Sequence, residues 1–316
     1  MSTEPEWMQW LSQEPEPETD LPPAAVVPLR GADSPAATPD TAAPAEHPAP
    51  APRDQGQKRA AADTPVWPQQ PVTAPPLVLV TGAGGGAGAT TTAIGIAGAW
   101  ATHDASSSVA VVDLTVTGGD LRSRASIEDL VTTIDTLIES EEPEALVSDL
   151  PLSAAGARVV DRGDSRFDDP VVHRVPDLLR SHVDTAVYDL GADALGSREC
   201  VRLREDADAV FVLVVQARAD AFNRLRGYLD LLANAVGEWV FERTVVVISH
   251  QNSAEPDVDP AELVGYLSGR VRATLEVPYD PHLATGLEIA SWELRAATVD
   301  AYDRIRRATA SAEGRQ

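Results

Sequence analysis

Residues 77–101 read LVLVTGAGGGAGATTTAIGIAGAWA, and this stretch decides the fold. Leu77–Val80 is an apolar run of the kind that forms a buried parallel strand. Five glycines follow within seven residues, at positions 82, 84, 85, 86 and 88, and Thr90, Thr91 and Thr92 then open a helix of small residues. Strand, glycine turn and helix in that order aim backbone N–H groups and a helix N-terminus at a phosphate. The loop lacks one part of the usual pattern, the lysine just before the Ser/Thr that reaches the β- and γ-phosphates. Ala89 precedes Thr90 here, and the only lysine in the chain is Lys58, far upstream. The scaffold is kept and the charge is gone.

Downstream of this segment, strand-like and helix-like patterns alternate, which predicts an α/β domain with a mostly parallel sheet and helices on both faces. Apolar runs suited to strands are Leu77–Val80, Val109–Val112, Thr185–Tyr188, Ala209–Val215 and Thr244–Ile248, with Ala157–Val160 and Thr274–Val277 as further ones. Helical periods fall at Ile127–Ser140, Asp177–His182, Ala219–Ala235, Pro260–Leu267 and Val299–Thr309. The stretch 161–169, DRGDSRFDD, reads as a polar loop whose charges are solvated surface rather than a metal site.

Upstream, the composition changes. Seventeen of the 25 prolines lie in residues 1–76, among alanines and acidic side chains. Such a segment buries too little apolar surface to offset its ordering entropy, so residues 1–75 are expected to be a disordered acidic tail ahead of one domain spanning 76–312. Trp7, Trp10 and Leu11 stand at i, i+3 and i+4, one face of a short helix at about residues 5–12. Two readings stay open for this turn: an anchor that folds into a partner protein's groove, or a turn that docks on its own domain.

The net charge of −24 argues against binding nucleic acid, because non-specific DNA contacts rely on clustered Lys and Arg. The arginines at 224 and 226, and at 304, 306 and 307, read as solvated helix faces. One cysteine, Cys200, excludes an internal disulfide and fits a reducing cytoplasm, as a small buried apolar residue. No signal peptide opens the sequence, no apolar run approaches a membrane span, and a cytoplasmic location is expected.

Residues 77–101 resemble the deviant-Walker loop of the MinD/ParA family, KGGxGKTT, with Gly84 at the family's first lysine and Ala89 at its second. SVAVVDLTVTGGDL (108–121) is similar to the strand and turn that follow the family's first helix, and TAVYDLGADALG (185–196) to its Walker B segment. ADAVFVLVVQARADAFNRL (207–225), RTVVVISHQN (243–252) and EVPYDPHLATGLEI (276–289) look like the later strands and the nucleotide-side loop. Within the family, the chain resembles the ParA-like proteins associated with actinobacterial type VII (ESX) secretion. Those carry a proline-rich tail, an Asn-His pair where Ser249-His250 stands, and a run matched by Pro278, Asp280, His282, Ala284, Gly286, Glu288 and Ile289.

The resemblance implies a P-loop fold and a nucleotide site for ATP or ADP with Mg²⁺, formed by Gly84, Gly85, Gly86, Ala87, Gly88, Ala89, Thr90 and Thr91. Ser249 stands at the family's adenine-reading position, and Pro278, Tyr279 and Asp280 lie in a loop near base and ribose. The resemblance places the Mg²⁺-holding hydroxyl at Thr90; the alternative for Thr90 and Thr91 is helix N-capping. Asp113 and Asp189 each end an apolar run, at the carboxyl ends of strands where ligands of open α/β sheets bind, and are the candidate catalytic acids. His250 and His282 read as packing or surface residues. Without either lysine, and with Thr115 where the family has a second acid, backbone amides still suit a nucleotide but fast hydrolysis is not expected. The roles implied are an accessory or localisation factor of type VII secretion, partnered through its tail and paired as a homodimer or with another P-loop protein. It would be recruited to the membrane or pole by a partner. A slow ATP-dependent switch, and a polar scaffold or partitioning protein like the pilus-assembly relatives of MinD, are the alternatives.

Overall fold

The computed structural model of the chain describes residues 77–115, 119–125, 132–163, 169–192, 209–252 and 259–310. The tail with Trp7, Trp10 and Leu11, and Cys200, lie outside the described residues. Seven strands form one sheet in the order β3-β2-β4-β1-β5-β6-β7, and every neighbouring pair is parallel. They are β1 (Leu77–Gly82), β2 (Val109–Asp113), β3 (Arg158–Val160), β4 (Thr185–Ala192), β5 (Ala209–Gln216), β6 (Thr244–Ser249) and β7 (Ala273–Val277). All seven overlap the runs expected from sequence, the five inner ones because strands covered on both faces need apolar residues at nearly every position, while the edge strands β3 and β7 are only partly buried.

The alternation within β1 distributes the core. Val78 and Val80 face a cluster with helix α1 (Ala89–His103), while Leu77 and Leu79 face the opposite cluster with Tyr188, Phe211 and Leu179. On the first face α1 is joined by the last helix of the described chain, Ala296–Thr309, through Ala301, Tyr302 and Ile305. The small residues of α1 are explained there: a Cβ on Gly95 would lie 2.3 Å from Tyr302 Cζ, so only glycine admits the ring. The opposite face is covered by the helices Ile134–Glu139, Pro143–Ser148, Asp169–Arg180, Ala219–Val236 and Pro260–Leu267. Numbered in chain order with the one-turn helices Leu121–Arg124 and Pro281–Ala284, these are α2 (121–124), α3 (134–139), α4 (143–148), α5 (169–180), α6 (219–236), α7 (260–267), α8 (281–284) and α9 (296–309).

Three helical expectations shift. Of the period expected over Ile127–Ser140, residues 127–131 lie outside the described residues, and the described part forms the helix Ile134–Glu139, where Thr133 accepts a cap bond from Thr136 N–H. Helix α5 runs through Pro176 instead of starting after it, because Val175 and Leu179 bury in the second cluster on either side of the proline. The same helix already begins at Asp169, the last residue of the stretch read as a polar loop. Among the described residues no helix is long and apolar enough to cross a membrane.

Candidate functional site

The carboxyl end of β1 opens into a cleft of about 510 Å³, walled by the glycine loop, the start of α1, Thr115, Gly119, Asp120, Arg124, the end of β4 and Gln251. The order of the strands places it there: β1 is central, with connections leading away on both sides, and such a crevice is where open α/β sheets hold ligands. Of the loop residues singled out from sequence, Gly84, Gly86, Ala87, Gly88, Ala89, Thr90 and Thr91 line the cleft, while Gly85 is exposed outside it.

The backbone of this loop is shaped for an anion. Gly88 caps α1 with φ 92°, a left-handed conformation that favours glycine, and supplies no side-chain cap. Ala87 N–H turns inward to Gly84 O at 3.2 Å, and the first helical bond runs from Thr92 N–H to Gly88 O at 2.9 Å. The N–H groups of Ala89, Thr90 and Thr91 stand ahead of that bond, at the positive end of the helix. Thr90 and Thr91 are the second and third residues of α1, so neither is its N-cap.

Two glutamines that sequence reasoning missed hold the loop from behind. Gln216 Nε2 and Gln251 Nε2 each donate to Gly86 O at 2.6 Å, and Gln216 Nε2 also reaches Gln251 Oε1 at 3.3 Å. Ser249, at the end of β6, lies beside Gly88: a Cβ there would stand 3.4 Å from its hydroxyl. Ser249 packs against the loop but is not in the wall of the cleft.

The acids stand side by side, since Asp113 and Asp189 are register partners across β2 and β4. Asp189 is fully buried, and burial pushes its carboxyl up to about 7. Gly191 N–H donates to its Oδ1 at 3.0 Å, whereas Oδ2 is buried with no hydrogen-bond partner. The Thr90 hydroxyl comes close enough to favour the ionised form but makes no bond of ordinary geometry to Oδ2. Asp113 is also raised, by burial first and by the nearby Asp161 charge, against the N–H and hydroxyl of Thr115 that donate to its Oδ1 at 2.9 and 2.7 Å.

Across the cleft stands Arg124, on α2, only 4% exposed. Its Nη2 donates to Thr91 Oγ1 at 2.9 Å and reaches Leu283 O at 3.4 Å, while Nε has no hydrogen-bond partner. Nothing in the short sequence around it, LRSR, marked it as a site residue.

Pro278, Tyr279 and Asp280 follow β7 and do not line the cleft. Asp280 holds two segments together: its Oδ1 accepts from His282 N–H at 2.9 Å and its Oδ2 from Arg295 N–H at 2.9 Å. Burial works to raise its pKa, but the nearby Thr298 hydroxyl and those two amides outweigh it and hold the carboxyl below the usual range. His250 and His282 sit 2.9 Å from Glu276 and Glu293, as packing and surface partners. Among the described residues no cluster of three or more His, Cys, Asp and Glu side chains is set to hold a metal.

The arginines read as solvated faces divide. Arg224 pairs with Asp220 at 3.2 Å, and Arg304 and Arg307 pair with Asp300 and Asp303 at 3.3 and 2.9 Å, all on exposed surface. Arg306 is the correction: it is buried, bonded to Asp303 at 2.9 Å and stacked 5.2 Å over Trp100. The apolar ring supplies a cation–π contact that lets the charge leave water.

A seven-stranded parallel sheet with a glycine loop, uncapped helix and strand-end acids defines a P-loop α/β protein of the MinD/ParA fold. Solved structures bear this out. The chain is similar to a ParA family ATPase from Chlorobium tepidum, with 14% identity and a TM-score of 0.59, covering 74% of this chain and 98% of that one. It is similar to a chain of the MinC:MinD cell division protein complex from Aquifex aeolicus, with 18% identity, a TM-score of 0.53, and 72% and 94% covered. It is also similar to the septum site-determining protein MinD of Pyrococcus horikoshii, solved with Mg-ADP, at 15% identity and a TM-score of 0.51, with 73% and 93% covered. At these identities the likeness is one of fold. No protein-family model matches the chain, and no curated protein matches it in sequence.

Proposed function

We propose that this chain is a MinD/ParA-fold protein with a degenerate nucleotide site, acting as an accessory or localisation factor without efficient ATP hydrolysis. The observation that carries this reading is the pairing of an intact cleft with Ala89 before Thr90, in a domain without a single lysine. The residues present fit a phosphate-bearing ligand with Mg²⁺. Helix-end amides face the cleft, Asp189 Oδ2 lacks a partner, and Thr90 lies beside it. Such a ligand would place its phosphates on the amides of residues 88–91, with the metal near Thr90 and Asp189. Bound Mg²⁺ would neutralise phosphate charge. What the chain does not provide is the lysine that strengthens its hold as charge builds on the transferring group. Loss of one preorganised donor typically lowers rates by about 10² to 10³.

The cellular role proposed, a factor of type VII secretion recruited through the tail, is supported by the resemblance of the tail, Ser249-His250 and residues 278–289. Partnership with a second copy or another P-loop protein belongs to the same reading. Calorimetric titration of the full chain with Mg-ADP and Mg-ATP tests the site. Saturable binding that tightens at least tenfold in Ala89→Lys is expected. Binding of the natural protein as tight as that of the variant would overturn the loss of function at this position and favour the ATP-dependent switch.

A further inference from the structure

We propose that Arg124 is the cation that receives the phosphate charge of a di- or triphosphate ligand in this cleft, in place of the lysine that the loop lacks. The inference rests on the reading of the cleft as a phosphate site and adds the residue that makes it work.

Three observations carry it. Arg124 is in the wall of the cleft, yet 96% shielded from solvent, and burying a guanidinium without a charged partner in contact is costly. Among the described residues no carboxylate is bonded to its guanidinium: Nη2 is taken by the Thr91 hydroxyl and the Leu283 carbonyl, both neutral. Nε is buried and holds no acceptor, a deficit of about 1–3 kcal/mol for a polar donor and more for a charged one. An anion at the start of α1 supplies the missing acceptor and charge together. Asp120, in the same wall, favours the charged form of Arg124, but only its backbone carbonyl bonds to that residue, accepting from Arg124 N–H at 2.9 Å, and its carboxylate makes no hydrogen bond to the guanidinium.

The guanidinium is also held in place beforehand. Thr91 belongs to the helix whose free amides face the ligand, so the 2.9 Å bond fixes Arg124 relative to those amides. Its own carbonyl accepts from Ile289 N–H at 2.8 Å, tying α2 to the chain beyond β7. A planar fork so fixed suits two oxygens of one phosphate and loses little freedom on binding. The other arginine near the loop, Arg224, is a poorer candidate. It stands against the outer side of Gly84, where a Cβ would be 3.4 Å from its Nε, it is half exposed, and Asp220 already pairs with it.

The arrangement gives the cleft two poles. Asp113 and Asp189, buried behind the wall at the ends of β2 and β4 and not part of it, suit a divalent cation, while Arg124 and the helix amides suit the anion that the cation accompanies.

The test is titration of the full chain with pyrophosphate in the presence of Mg²⁺, for the natural protein and for Arg124→Gln, Arg124→Lys and Arg224→Gln. The expected result is at least a tenfold loss of affinity in Arg124→Gln, a smaller loss in Arg124→Lys, and less than a twofold change in Arg224→Gln. The Arg124 Nε–H resonance of the natural protein gives a second readout, independent of any effect of Arg124→Gln on folding. It should move downfield on adding pyrophosphate while that of Arg224 stays in place. Binding by the natural protein with unchanged affinity in Arg124→Gln, or with a stationary Arg124 resonance, would overturn the inference and leave the phosphate site standing. No binding by the natural protein would overturn both.

Discussion

The two flanks of the glycine loop are built by opposite rules. On the β5–β7 side the charged and amide side chains named above have partners: Gln216 and Gln251 hold Gly86 O, His250 meets Glu276, and Asp280 bridges His282 and Arg295. On the β2–β4 side, buried groups are left short: Asp189 Oδ2 and Arg124 Nε have no hydrogen-bond partner. A buried polar atom without a partner costs stability, so a fold keeps one where something else completes it. The β5–β7 flank is therefore scaffold, and the β2–β4 flank is where a ligand is expected to act.

The contrast breaks first at Asp280. Asp280→Ala removes the carboxylate that accepts from two backbone N–H groups and frees the segment before α9, and a loss of about 3 kcal/mol is expected in urea unfolding. A loss below about 1 kcal/mol would mean that the satisfied flank is not structural after all.

Asp189→Asn should act in the other direction. Its folded pKa of about 7 stands above the ordinary 3.8, so between these values the native state binds the proton that the unfolded state releases. Stability then falls as pH rises from about 4 to about 7, and asparagine escapes that penalty. In ligand-free protein the variant is expected to gain about 2 kcal/mol at pH 8, with the gain vanishing near pH 4. Equal stability of the two proteins at both pH values would show that Asp189 carries no such penalty.

Replacing Gln216 and Gln251 together by alanine should cost about 1 kcal/mol or less, since both bonds are partly solvated. The effect should be local: faster hydrogen exchange at the amides of residues 83–92, with the sheet unchanged. Unaltered exchange in the loop would remove the glutamines from the account.

These flanks differ in how well sequence exposes them. Strands and the loop were legible because each is a contiguous pattern, and Asp113 and Asp189 were legible as charges closing apolar runs. Arg124, Gln216 and Gln251 were not, since they meet the loop from segments 33 to 165 residues away and carry no periodic signal of their own. Arg306 was misread because its helix face is polar by composition, and only Trp100 from α1 makes its burial favourable. The run 278–289 was legible as a pattern, but Asp280 is held by backbone amides that sequence does not show.

The central claim is that the loop persists without the chemistry of its lysine. Phosphate release from Mg-ATP by the full chain tests it most directly, with Asp189→Asn as background and Ala89→Lys beside them. The account predicts release by the natural protein no faster than by Asp189→Asn, and a rise of about 10²-fold in Ala89→Lys. Release by the natural protein well above Asp189→Asn, and matching Ala89→Lys, would contradict it.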